Sequence, residues 1–144
     1  MHVRTQLRNA VVTRLTGLPL TGLNVFANRV YPIEDNQLPA LLINTDGEEI
    51  EPNATGVLVR SLTLAVRALV RKPGGGVDDD LDTIAEEVEG AMALGPLLPA
   101  ASGQITLTSL AVEFDREADA PFGVLTLTYR IDYVTTSAAP GSAL

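Results

Sequence analysis

Between Val57 and Arg71 the chain alternates in the manner of a β-strand for an unusually long stretch. Leu58, Leu62, Leu64, Val66, Ala68 and Val70 share one parity, and Ser61, Thr63, Arg67 and Arg71 fall on the other. At ~3.3 Å per residue such a run reaches about 50 Å. A compact chain of this length measures roughly 35 Å across, judged from its expected radius of gyration. The pattern therefore predicts a strand that projects in part from the body, as a β-hairpin arm or as a ledge that a neighbour covers.

Residues 2–17 read as a helix, with Val3, Leu7, Val11 and Leu15 on one side and His2, Gln6, Asn9 and Thr13 opposite. Arg4 and Arg8 flank the apolar stripe, placed either to run their stems along its edge or to pair with an acidic neighbour. A short strand is expected over 24–30 and a doubly covered one over 38–45, with Pro39 at its start. The acidic, turn-rich segment 46–56 reads as a long mobile hairpin loop. A second helix is predicted over 77–94, with Leu81, Ile84, Ala85, Val88, Ala91 and Met92 buried. Two further strands follow, over 105–115 and 122–135. The first changes apolar phase near Thr108 and Ser109, which suggests a bulge. Residues 137–144 read as a flexible tail, leaving one domain over 1–136.

The expected fold is thus α+β: two helices packed on one face of a mainly antiparallel sheet, in the order α-β-β-β-α-β-β. On the opposite face, Val57, Val59, Ala65 and Leu69 alternate with Ser61, Thr63 and Arg67. Apolar area there has no evident cover within the chain, and that predicts self-association.

Composition narrows the chemistry. The chain has 144 residues, enough for a real core. It contains no cysteine and one histidine. His2 falls at the expected fraying start of the first helix, so thiol nucleophiles and histidine-based triads are excluded. No apolar run is long enough to cross a membrane, and Met1-His2-Val3-Arg4 lacks a signal-peptide core, so synthesis in the cytoplasm is expected. The formal charge is −8. An acidic protein gains nothing by gripping nucleic acid, yet its wall can let DNA slide past. Gly74-Gly75-Gly76 precedes a helix, but without a following Lys-Ser/Thr, and Asp78, Asp79, Asp80 and Asp82 would repel a phosphate.

That acidic cluster has three readings. It offsets the positive end of the helix dipole, or it forms a contact or lumen surface with Glu86, Glu87 and Glu89. In the third, Asp78, Asp80 and Asp82 supply oxygens to a magnesium or calcium ion that a neighbouring subunit completes. A small metal-dependent enzyme built on the cluster would need carboxylates facing one cavity, and only one helix surface offers them.

The succession of motifs resembles a known family. His2-Val3-Arg4-Thr5-Gln6-Leu7-Arg8-Asn9-Ala10-Val11-Val12 is followed by Leu38-Pro39-Ala40, the Gly47-Glu48-Glu49 turn and Leu62-Thr63-Leu64-Ala65-Val66. Then come Asp80-Leu81-Asp82 and the closing run from Leu125 to Tyr133. This order is similar to that of the tail-terminator proteins of long-tailed bacteriophages, the minor tail protein U family. The resemblance implies a structural virion protein at the head-proximal end of the tail, with no catalytic residues. No cofactor is expected, unless the aspartate cluster holds a magnesium ion at a subunit interface. It implies a hexameric ring that caps the tail tube, stops its polymerisation and offers the surface for head–tail joining, while DNA passes through the lumen without specific binding. Its expected partners are further copies of itself, the tail tube protein and the head–tail connector (stopper) protein. A connector or neck protein is the alternative. Contacts are expected through Glu48, Glu49 and Glu51 of the hairpin loop, Arg67, the Asp78, Asp80 and Asp82 cluster, and Arg116 in the 116–121 turn.

Overall fold

The computed structural model describes residues 1–27, 33–99, 103–115 and 121–144. Helix α1 spans Val3–Leu15, followed by strand β1 (Val25–Ala27) and a 3-10 turn at Asp35–Gln37. Strands β2 (Ala40–Ala54) and β3 (Val57–Arg71) form the long hairpin, and helix α2 (Val77–Met92) follows. Strands β4 (Ile105–Asp115), β5 (Phe122–Thr136) and β6 (Ala139–Ala143) complete the chain. The sheet runs β1-β2-β3-β5-β4, with β6 attached to β5. Among the described residues, only β1 and β2 pair in parallel; the other pairs are antiparallel.

The α+β class is as expected, with three differences in detail. First, β2 runs on to Ala54 through the segment read as a mobile loop, leaving a two-residue turn at Thr55-Gly56. Gly56 supplies the positive φ of +76° that this turn requires. Second, β5 pairs with β3 over its whole length, from Val57–Thr136 to Arg71–Phe122. The long strand is thus the middle of a ribbon rather than a free two-stranded arm. Third, the segment expected to fray forms β6: Leu144 N–H donates to the Val134 carbonyl at 2.8 Å, and the Gln6 side chain donates to Gly141 O at 2.8 Å.

The core lies between the helices and one sheet face. Val3, Leu7, Val11 and Leu15 of α1 meet Leu81, Ile84 and Val88 of α2 over Leu62, Leu64 and Val66 of β3 and Leu125, Leu127 and Ile131 of β5. Helix α1 sits on β1 and β2, and α2 on β3 and β5. Gly123 lets the start of α2 descend onto β5: a Cβ there would lie 2.6 Å from Val77 Cγ1 and 2.9 Å from Leu81 Cδ1.

Neither helix seats on β4, the edge strand. Its register places Leu107 opposite Tyr129 and, after an irregularity between Leu107 and Ser109, Leu110 opposite Leu127 and Val112 opposite Leu125. This row shares the helix-bearing face of the sheet, yet Leu107, Leu110, Val112 and Phe114 remain 36%, 47%, 41% and 37% exposed. The uncovered apolar surface is therefore here, and not on the outer face of β3 as the sequence suggested. There Ala65 is buried and Val57, Val59 and Leu69 are half-buried. Cross-strand neighbours shield them, Val134 beside Val59 and Val124 beside Leu69.

Truncating paired leucines tests this assignment. Leu127→Ala should destabilise the fold by ~2–5 kcal/mol in urea unfolding, and Leu110→Ala across from it by less than about 1 kcal/mol. Equal losses would contradict an uncovered β4.

Candidate interaction surfaces

A buried ion cluster anchors the hairpin to α1. Leu41 and Ile43 point toward the helices, so strict alternation would aim Glu48 outward. The register shift between Thr45 and Gly47 resets the phase, and Glu48 turns inward, its side chain 3% exposed. One carboxylate oxygen accepts from Arg4 Nη1 at 2.7 Å and from Arg60 Nη1 at 3.0 Å. The other accepts a short hydrogen bond from the Tyr133 hydroxyl. Arg60, itself buried, also donates through Nε to Thr135 Oγ1 at 2.9 Å. One carboxylate therefore ties together α1, β2, β3 and β5.

Burial alone would raise the Glu48 pKa. Hydrogen bonds from Tyr133, Arg4 and Arg60 outweigh it and leave the carboxyl below its ordinary value. Burial, and then the bond to Glu48, pushes the Tyr133 phenol upward. His2, expected to be unoriented, caps α1 by accepting the Arg4 N–H on Nδ1 at 3.1 Å. Burial and the nearby Arg4 lower its pKa.

The other expected contact residues scatter. Glu49 and Glu51 are exposed near the hairpin tip, on the face away from the helices, paired with Ser61 and Val59. Arg67 lies half-buried on that same outer face, between Leu42 and Thr126. Asp80 pairs with Lys72 Nζ at 3.4 Å, whereas Asp78 and Asp82 flank Leu81 and line a shallow cleft with Val112 and Phe114. The three aspartates thus do not converge. Among the described residues, no three acidic or histidine side chains are grouped to hold a metal ion. Arg116 lies outside the described residues.

Helix α2 begins at Gly76, which offers no side-chain cap. Asp78, Asp79 and Asp80 in its first turn therefore complement the exposed N–H groups. Sequence reasoning missed Arg60 and Tyr133. Arg60 did leave a signal, since it occupies the apolar parity of β3 between Leu58 and Leu62. A charge on a core-facing row requires a buried partner.

An exposed apolar row along an edge strand is a candidate surface for contact with another polypeptide. The chain belongs to the phage minor tail protein U family, whose model matches residues 2–133, from the cap of α1 to near the end of strand β5. It is a structural protein of the bacteriophage virion, located in the tail. No curated protein matches the sequence.

Removing the Glu48 charge leaves Arg60 buried without its counter-ion. Glu48→Ala should cost about 3–5 kcal/mol, read as a fall in the urea midpoint at pH 7. Because the folded pKa of Glu48 is depressed, its contribution is complete above the unfolded value of about 4.3. It is lost as pH falls below that value and through the folded pKa. Wild-type stability should therefore drop in this acid range more steeply than that of Glu48→Ala. Identical pH profiles would show that the cluster contributes nothing.

Proposed function

We propose that this protein is the tail terminator of its phage. Copies close into a ring, six in number by the family resemblance, that caps the finished tail tube and prevents further addition of tube subunits. The exposed ring face then receives the head–tail connector, and the genome passes through the lumen. The observation that carries this reading is the uncovered apolar row of β4. A domain that keeps four large side chains wet along an edge strand gains from burying them against a neighbour.

Charge supports the passage of DNA. A formal charge of −8 disfavours a tight grip on phosphate, as a conduit requires. Capping needs only asymmetry: one ring face repeats the contacts that a tube subunit offers, and the other lacks them. No bond-making chemistry enters this reading.

Negative-stain microscopy of purified tail tubes tests it. With the protein added, tubes should stop elongating and carry a ring-shaped cap at one end, and only capped tubes should join DNA-filled heads. Binding to heads but not to tubes would point to a neck protein instead. Incorporation along the tube would contradict termination.

A further inference from the structure

We propose that the cleft between the C-terminal half of α2 and strand β4 receives a second copy of this chain, which presents its opposite edge, the Leu23 turn beside α1. The inference rests on the ring reading and specifies the surfaces that build it.

The cleft is lined by Glu89, Met92, Ala93, Ile105, Leu107 and Tyr129 and has a volume of about 170 Å³. It adjoins a larger, open cleft of about 390 Å³ that shares Met92, Ala93 and Ile105 and extends to Pro96. Tyr129 is only 3% exposed, yet its hydroxyl has no hydrogen-bond partner. Buried hydroxyls are normally satisfied, because desolvation without a partner is costly. Burial and the neighbouring Glu89 raise the phenol pKa to about 12, so Tyr129 keeps its proton and offers a donor. The cleft thus combines apolar walls with one unanswered donor, which suits a protruding apolar side chain next to a backbone carbonyl.

This chain carries such a feature on its other side. Leu23 is 81% exposed in the turn between α1 and β1, and β1 ends the sheet opposite β4. Beside it, Thr21 is buried with a hydroxyl that likewise lacks a partner. The helices carry opposite charge on the two halves of the sheet. Helix α1, over β1 and β2, has three arginines and no acid; α2, over β3 and β5, has seven acids and no base. Arg4, Arg8 and Arg14 already hold internal partners. The arginines therefore act as a basic field rather than as individual ion pairs. Glu49 and Glu51 lie further out, near the hairpin tip.

Joining unlike edges gives a heterologous contact, which closes into a ring when the rotation allows. Pairing β4 with β4 would instead set one α2 against another and bring together Asp78, Asp82 and Glu89, which line the clefts beside β4, with their own copies. The charge pattern selects the head-to-tail arrangement.

The chain has no cysteine, so introduced thiols report cleanly. Leu23→Cys and Leu107→Cys are prepared singly and together, each checked for a wild-type thermal midpoint, and joined with a short bis-maleimide under conditions where rings are visible by microscopy. The double variant should yield a ladder of cross-linked species ending at the ring size, and each single variant should yield none. Tyr129→Phe should raise the self-association Kd about three- to tenfold while leaving the monomer at least as stable. Self-cross-linking of Leu107→Cys alone would establish a β4–β4 contact and overturn the proposal. Rings whose double variant stays unlinked, or links only to tube protein, would overturn it while leaving the ring intact. If wild-type protein forms no ring with or without tubes, the terminator reading fails and this inference with it.

Discussion

Two helices cannot cover one face of this sheet, and most of the molecule's other features follow from that shortfall. With 13 and 16 residues, α1 and α2 are about 20 and 24 Å long. Beneath them β3 and β5, of 15 residues each, extend ~50 Å. Packed side by side about 10 Å apart, the helices cover less than half of the helix-side surface. Whatever lies beyond their footprint must be polar, covered by other parts of the chain, or left for a partner.

The molecule uses all three solutions, in different places. Toward the hairpin end, β6 and the start of α1 close over the sheet, and Glu48 binds Arg4, Arg60 and Tyr133 in the space between. Replacing an apolar layer with an ion cluster confers little net stability in itself. It does fix geometry, because the carboxylate is satisfied only when four elements hold one register. At the tip, Glu49 to Gly56 are exposed, and Glu49, Glu51, Asn53 and Thr55 present polar groups to solvent. Along β4 neither solution applies, and the apolar row stays open to solvent.

The periodic parts of the fold were legible in the sequence. The stripe from Val3 to Leu15, the stripe from Leu81 to Met92 and the alternation of Leu125 to Tyr133 gave the helices, the last long strand and the faces they bury. The phase change at Thr108 and Ser109 announced the irregularity in β4. What escaped was governed by local phase and by tertiary pairing. Alternation read across Thr45 to Gly47 sends Glu48 outward, and only the bulge, invisible to periodicity, brings it inside. The Pro52-Asn53-Ala54 segment reads as a loop by composition, yet pairing with Leu58 and Val57 holds it extended. Ala139 to Ala143 has little strand propensity of its own and depends on β5 and Gln6. The location of the uncovered surface could not be read either, since it depends on which strands the helices reach.

If covering β4 is what draws copies together, its backbone should record the event. Hydrogen–deuterium exchange on the free chain and on assembled rings measures this amide by amide. The account predicts that peptides spanning Ile105–Asp115 gain protection on assembly, while the central residues of β3, already paired on both sides, stay unchanged. Unaltered exchange across β4 in intact rings, with new protection confined to the outer sheet face or the hairpin tip, would contradict it.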